Sequence, residues 1–182
     1  MPIANPPVDV VTIAVFLFLV TLASYFLGQY LAAVFSGKLH WNPMIRLEKA
    51  LFYFIDTSTD HEDSWQGYAR DLLIFNAIGF CILFLVLIIQ GILPLNPQHV
   101  SGFPLSQALN IAVSFTTNTN WQVYSGETAA SYLTQMIGFT VQNFLSAATG
   151  LCIAVAVMRG LTRKTTDRIG NFWVDMIRAV LY

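Results

Sequence analysis

Three stretches of this 182-residue chain, residues 10–37, 72–126 and 128–158, contain no Asp, Glu, Lys or Arg. They run for 28, 55 and 31 residues, and a helix needs about 20 apolar residues to cross a bilayer. Nothing else in the sequence narrows the fold as far. Water-soluble domains carry about a quarter charged residues, whereas here 10% are charged and 55% apolar. The nine Lys/Arg and ten Asp/Glu nearly cancel. The chain therefore has neither the basic field that draws nucleic acid nor the acidic excess of a disordered tail. Membrane lipid is the partner that this composition implies.

Cys81 and Cys152 sit inside the apolar stretches without metal-like or Cys-x-x-Cys spacing and read as small buried apolar side chains. Residues 1–9 hold Pro6, Pro7 and Asp9 but no Lys or Arg, unlike the basic start of a cleaved signal.

The pattern predicts an all-α integral membrane protein with three spanning helices, one re-entrant pore half-helix and a filter loop. Region 1–37 holds a first spanning helix, Val10 to about Phe35, with Ser24 and Gln29 as its strongly polar interruptions. Region 38–71 is a polar segment. Within it Asn42-Pro43 offers a cap and first turn, and Leu47, Leu51, Phe54 and Ile55 recur opposite Arg46 and Lys49, as in a helix lying on the membrane surface. Region 72–159 is the pore-loop unit. Its spanning helix, Leu72 to about Leu93, stops at Pro94, and Pro97, Gly102 and Pro104 break the chain after it. Leu105–Phe115 then reads as a helix of roughly 16 Å, about half the bilayer core. A third spanning helix runs from about Thr128 to Met158. Region 160–182 is a further polar segment that ends in Asn171–Tyr182. There Phe172, Trp173, Met176, Ile177, Val180 and Leu181 face away from Asp175 and Arg178. This last segment is either an amphipathic surface helix or the start of another spanning helix.

All nine basic residues lie at 38–70 or beyond 158. The positive-inside tendency makes that side cytoplasmic, so the N-terminus and the half-helix face out.

The order of spanning helix, half-helix, polar strand Thr116–Gln122 and spanning helix is the pore-loop arrangement of potassium-channel-like proteins. A half-helix entering from outside points its partially negative C-terminus at the membrane centre, which favours a cation that has shed water. Backbone carbonyls of a strand just beyond can replace the hydration oxygens of K⁺. Glu127 either concentrates cations at the mouth or sits in the first turn of the third helix, stabilised by its dipole.

The string Asn118-Thr119-Asn120-Trp121-Gln122-x-Tyr124-Ser125-Gly126-Glu127 follows Pro94-Leu95-Asn96-Pro97-Gln98 and precedes Thr140-Val141-Gln142-Asn143-Phe144-Leu145-Ser146-Ala147-Ala148. Together these strings resemble the N-terminal part of the potassium-binding A subunits of bacterial Kdp potassium-transporting ATPases. The likeness extends more loosely back to Trp65 and forward to Asn171-x-Trp173-Val174-Asp175. It implies four pore-loop units around one selectivity filter, preceded by an extra helix, in the bacterial inner membrane. It also implies K⁺ ligation by Thr117, Asn118, Thr119 and Asn120, with Gln122 close behind. Potassium is the transported ligand, with no further cofactor. The implied partners are the P-type ATPase subunit, which hydrolyses ATP, and the other Kdp subunits. The chain has neither a Gly-x-x-x-x-Gly-Lys loop nor an Asp-Lys-Thr-Gly string, so it is not the ATP-hydrolysing subunit by itself. One strand cannot encircle an ion. Either the chain is an N-terminal portion of a longer protein, or identical copies assemble, in the extreme as a passive homotetrameric cation channel.

On the third helix Thr128, Ser131, Gln135, Gln142, Ser146 and Thr149 share one face, opposite Leu133, Ile137, Phe144 and Leu151. Gln135, Gln142, Asn143 and Ser146 either line a cavity below the filter or, like Asn76 and Gln90, bond between helices. Asp56, Asp60, His61, Glu62 and Asp63 fit no calcium or zinc spacing and read as a solvated loop. His40 and His99 are isolated. Trp41, Trp65, Trp121 and Trp173 suit membrane interfaces, and Trp121 could also pack behind the filter. With no charge inside the spans, a membrane hydrolase lacks its residues.

Overall fold

A computed structural model describes residues 6–39 and 42–182; His40, Trp41 and the side chain of Asn42 lie outside the described residues. The chain forms two compact units, Met1–Ile45 and Arg46–Tyr182. The first holds α1, Pro6–Phe35, whose 30 residues make about 45 Å of helix. Leu, Val, Ile and Phe side chains are exposed along it. Two of its hydroxyls turn back on their own helix, Thr21 Oγ1 to the Leu17 carbonyl and Ser24 Oγ to that of Thr21. Those polar side chains are thus satisfied without water, as hydrocarbon requires.

In the second unit α3, Trp65–Ile89, ends in a 3₁₀ turn at Gln90–Ile92. It starts seven residues before the expected Leu72 because Ser64 caps it, its hydroxyl accepting from the Gly67 N–H. Among the described residues three helical stretches are long and apolar enough to cross a membrane: Asp9–Phe35, Trp65–Ile92 and Thr134–Thr162. Between the last two lies α4, Leu105–Thr116, whose 12 residues give roughly 18 Å. Ala108, Ile111, Ala112 and Phe115 on one face of α4 are buried with Leu83 and Leu87 of α3, while Leu105, Leu109 and Val113 on the other are exposed.

The third long helix is not continuous from Thr128. A single turn, α5 (Gly126–Ala129), gives way to extended Ala130 at φ −119°, ψ 132°. The helix resumes through a π-helical stretch, Thr134–Thr140, into α6, Val141–Thr162. Gln90, fully buried, takes over the backbone groups at the break. Its Nε2 donates to the carbonyls of Ser101 (2.7 Å) and Ala129 (2.9 Å), and its Oε1 accepts from the Ser131 N–H (3.2 Å). Of the polar face expected here, Ser131, Gln142, Ser146 and Thr149 are buried, Gln135 is half-buried and Thr128 is exposed, while Ile137, Phe144 and Leu151 on the opposite side are exposed.

The basic end is organised by ion pairs. A two-stranded ladder, β1 (Asp63–Ser64) with β2 (Arg168–Gly170), is antiparallel. Arg163 reaches Glu62 at 2.7 and 3.0 Å, so one member of the acidic cluster is paired rather than simply solvated. Helix α7, Phe172–Leu181, is capped by Asn171 Oδ1, which accepts from the N–H groups of Trp173 and Val174. One expected face is corrected. Asp175 is buried against Arg159 and Tyr68 rather than turned outward with Arg178. In α2, Asn42–Ile55, Phe52 and the neighbouring Leu51 pack with Val174 and Ile177 of α7, while Leu47, Phe54 and Ile55 are exposed. Glu48 is buried beside them, held by Arg178 (2.8 Å) and by the Tyr182 hydroxyl (2.9 Å).

Candidate functional site

The candidate site is built at the C-terminal end of α4. The helix is placed by the chain before it. The Phe103 N–H donates to the Leu87 carbonyl (3.0 Å), and Gly102 lies so close to the Ile88 carbonyl that a Cβ would collide with it. At the other end the chain curls over the helix terminus. The N–H groups of Thr117, Asn118, Thr119 and Asn120 donate to the carbonyls of Val113 (2.9 Å), Phe115 (3.2 Å), Ser114 (2.9 Å) and Ser114 again (3.2 Å). No peptide bond here is cis, and in a trans peptide the N–H and the preceding C=O point in opposite directions. The carbonyls of Thr116, Thr117, Asn118 and Thr119 are therefore turned away from α4.

The extended strand expected over Thr116–Gln122 is thus replaced by a curl, which needs left-handed backbone at Asn118 (φ 56°) and Asn120 (φ 54°), a conformation that Asn tolerates better than most residues with a side chain. The Thr-Asn-Thr-Asn alternation thus has a conformational reason. The side chains add their own ties. The Thr117 hydroxyl contacts that of Thr119 at 2.8 Å and the Val113 carbonyl at 2.9 Å. Asn120 Nδ2 donates to Asn118 Oδ1 (3.3 Å), as does the Ser146 hydroxyl of α6 (3.4 Å). Ser114 Oγ donates to the Trp121 carbonyl (3.1 Å).

Thr117, Asn118, Thr119, Asn120 and Gln122 are all exposed within one short loop. A pocket of about 680 Å³ beside it is lined by Gln122, Tyr124, Ser125, Glu127, Gln135 and Phe139, among others. Glu127 lies in the isolated turn α5, and the Ser125 hydroxyl at 2.7 Å holds its carboxyl below the usual carboxylate range. The four residues offered as cavity lining separate. Gln135 lines the pocket, with its Nε2 donating to the Gly126 and Ala130 carbonyls. Gln142 is buried against Gly79 of α3, Asn143 is exposed, and Ser146 alone meets the loop.

Trp121 is exposed, not packed behind the loop. Phe103, Phe115, Tyr124 and Phe139 instead form one aromatic group in the core shared by α3 and α4, with the Phe115 and Phe139 rings stacked 4.7 Å apart. The Tyr124 hydroxyl is buried without a hydrogen-bond partner, and burial pushes its phenol up to about 12. Sequence reasoning did not find this aromatic group, since four aromatics spread over 103–139 share no helical period. Gln90 does bond to other segments, as expected, but the break in the third helix that it serves was hidden.

Long apolar helices and an uncharged loop folded back on a short helix define a helical membrane protein. The sequence profile of the KdpA family, described as the potassium-transporting ATPase A subunit, matches residues 14–182, and the chain belongs to that family. The potassium-transporting ATPase potassium-binding subunit of Pseudomonas entomophila is 49% identical over 176 residues, covering 96% of this chain and 31% of that protein. The subunit of the same name from Geobacter sulfurreducens is 50% identical over 171 residues, 92% of this chain and 29% of that protein. The one from Geotalea uraniireducens is 48% identical over 180 residues, 98% and 30% respectively. The chain thus spans about three tenths of the length of these relatives.

Proposed function

We propose that this chain supplies one re-entrant pore-loop unit to a potassium-binding subunit, and that dehydrated K⁺ meets the carbonyls of Thr116–Thr119 at the end of α4. The observation that carries this reading is the set of four consecutive N–H groups bonded back onto the helix. They leave the paired carbonyls outward, beside a helix terminus whose partial charge is negative. Asn118, Asn120 and Gln122 shape and flank that strand, and Glu127 with its pocket forms the outer approach. Ser146 supports the strand from α6.

The rest of the ion's coordination comes from equivalent strands. The relatives are about three times as long as this chain, which leaves room for further units in one polypeptide. In this reading K⁺ is passed to a P-type ATPase partner that hydrolyses ATP, within a complex of Kdp subunits in the bacterial inner membrane. The basic end, with Arg159, Arg163, Lys164 and Arg168, is cytoplasmic, and the N-terminus is outside.

The test is K⁺-stimulated ATP hydrolysis by the assembled complex of the full-length chain. Replacing Asn120 or Gln122 by Ala is expected to raise the half-saturating K⁺ concentration or erode K⁺/Rb⁺ discrimination more than replacing Asn76, whose Nδ2 donates to the Leu72 carbonyl of its own helix rather than to another helix as expected. Unchanged ion dependence in both loop variants would overturn the reading. Tetramers of the 182-residue chain in native mass spectrometry would point to a passive pore instead.

A further inference from the structure

We propose that Gln90 is a positioning residue that staples the two ends of the half-helix and loop, and so fixes where the ion-binding strand lies. The inference rests on the pore-loop reading above and adds to it a residue that touches no ion. Gln90 is fully buried at the end of α3. One carboxamide nitrogen serves the Ser101 carbonyl, just before α4, and the Ala129 carbonyl, just after the loop. The oxygen takes the Ser131 N–H. The backbone carbonyl of Gln90 accepts from Asn96 Nδ2 (3.3 Å), and Asn96 in turn organises the turn up to Val100. One side chain thus ties together the two ends of the excursion from Gly102 to Thr128.

The chemistry requires an amide. Two donors and an acceptor in one plane match two carbonyls and one N–H, and the group brings no charge into an apolar site. Gln135 completes the arrangement from the other side, donating to Gly126 and Ala130. Remove Gln90, and the Ala129 carbonyl and Ser131 N–H lose their partners. In an apolar surrounding they regain them most directly by joining α5 to the helix that follows. That continuous helix draws the exit of the loop toward α6 and changes the span over which residues 117–125 are stretched. Ion discrimination, which depends on where the carbonyls sit, changes with it.

The experiment uses the full-length chain assembled with its ATPase partner and reads K⁺- and Rb⁺-stimulated ATP hydrolysis. Gln90→Met keeps the length of the side chain and removes its donors; Gln90→Asn keeps the amide but shortens its reach. Both are expected to raise the half-saturating K⁺ concentration at least fivefold and to lower K⁺/Rb⁺ discrimination, with the maximal rate within twofold of the unsubstituted protein. Asn76→Ala, the control, is expected to do neither. If Asn120→Ala shifts the ion dependence and both Gln90 variants leave it unchanged, the staple is overturned while the filter reading stands. If none of them shifts it, the filter reading falls and the staple with it. Loss of assembly in both Gln90 variants, with Asn76→Ala assembling, also overturns the proposal, because the residue then serves folding alone.

Discussion

Arg159, in the last turn of α6, grips Asp175 of α7 with two nitrogens, Nη1 on Oδ2 and Nη2 at 2.9 Å from Oδ1. Tyr68 of α3 adds its hydroxyl at 3.1 Å, so three helices meet on one carboxylate. The Asp175 side chain is 1% exposed and that of Arg159 17%. Removing one partner of a buried ion pair leaves the other charge uncompensated and costs about 3–5 kcal/mol. Asp175→Leu is therefore expected to lower the thermal midpoint in detergent sharply. Tyr68→Phe removes a hydrogen bond to a charged group, worth roughly 1.5–3 kcal/mol, and should lower it less. Scanning fluorimetry of the two variants checks the order.

Gly102 has no room for a side chain, because a Cβ would strike the carbonyl oxygen of Ile88, an atom held in α3. Gly150 of α6 has nothing within 4 Å of the same position. Gly102→Ala is expected to destabilise by about 1–3 kcal/mol through overpacking. Gly150→Ala should instead stabilise by roughly 0.5–1 kcal/mol, the usual gain inside a helix. Resistance to limited proteolysis should fall in the first variant and rise in the second.

Asn118 separates backbone from side-chain contributions. At φ 56° a residue with a Cβ is strained, by about 1–2 kcal/mol for an ordinary L-residue, and glycine is not. Asn118→Gly keeps the curl but loses the contacts with Ser146 and Asn120, whereas Asn118→Ala loses both. K⁺ titration of the full-length protein should find the glycine variant closer to the unsubstituted one. Equal losses would place the role of Asn118 in its carboxamide.

Glu127 is exposed and its pKa is lowered, first by the Ser125 hydroxyl and then by a backbone hydrogen bond. A lowered pKa means that folding favours the ionised form. The contribution is complete above the ordinary carboxylate pKa and is lost as pH falls through the lowered value. Glu127→Gln is expected to raise half-saturating K⁺ about threefold at 0.01 M ionic strength and progressively less toward 0.15 M, as screening shortens from about 30 to 8 Å. Ser125→Ala should move the acid limb of the K⁺ dependence toward the ordinary carboxylate pH.

The elements that hydropathy dictates were legible in the sequence. The stretches free of charge became α1, α3 and α6, and Pro104 marked the start of α4, which ends at Thr116, one residue beyond the expected Phe115. The uncharged polar string located the loop but not its conformation: an extended strand was expected, and the left-handed backbone at Asn118 and Asn120 comes from the bonds back to α4. The interruption at Ala130 was not legible. Residues 128–133 are Thr-Ala-Ala-Ser-Tyr-Leu, with neither glycine nor proline, and local propensity continues the helix. The break is made by Gln90, some forty residues away in sequence.

Asp175 draws the same line. Helical spacing sets it beside Arg178 on a polar face, but the rotation of α7 is fixed by Arg159 and Tyr68, and Arg178 turns instead to Glu48. Sequence alone determined which segments prefer lipid, where basic residues gather and which loop is built of uncharged polar residues, since each follows from transfer energies and backbone preferences of neighbours along the chain. The tertiary structure decided which way the carbonyls face, where the third helix breaks and which charges are buried. Those depend on hydrogen bonds between groups that only folding brings within 3 Å or so of one another.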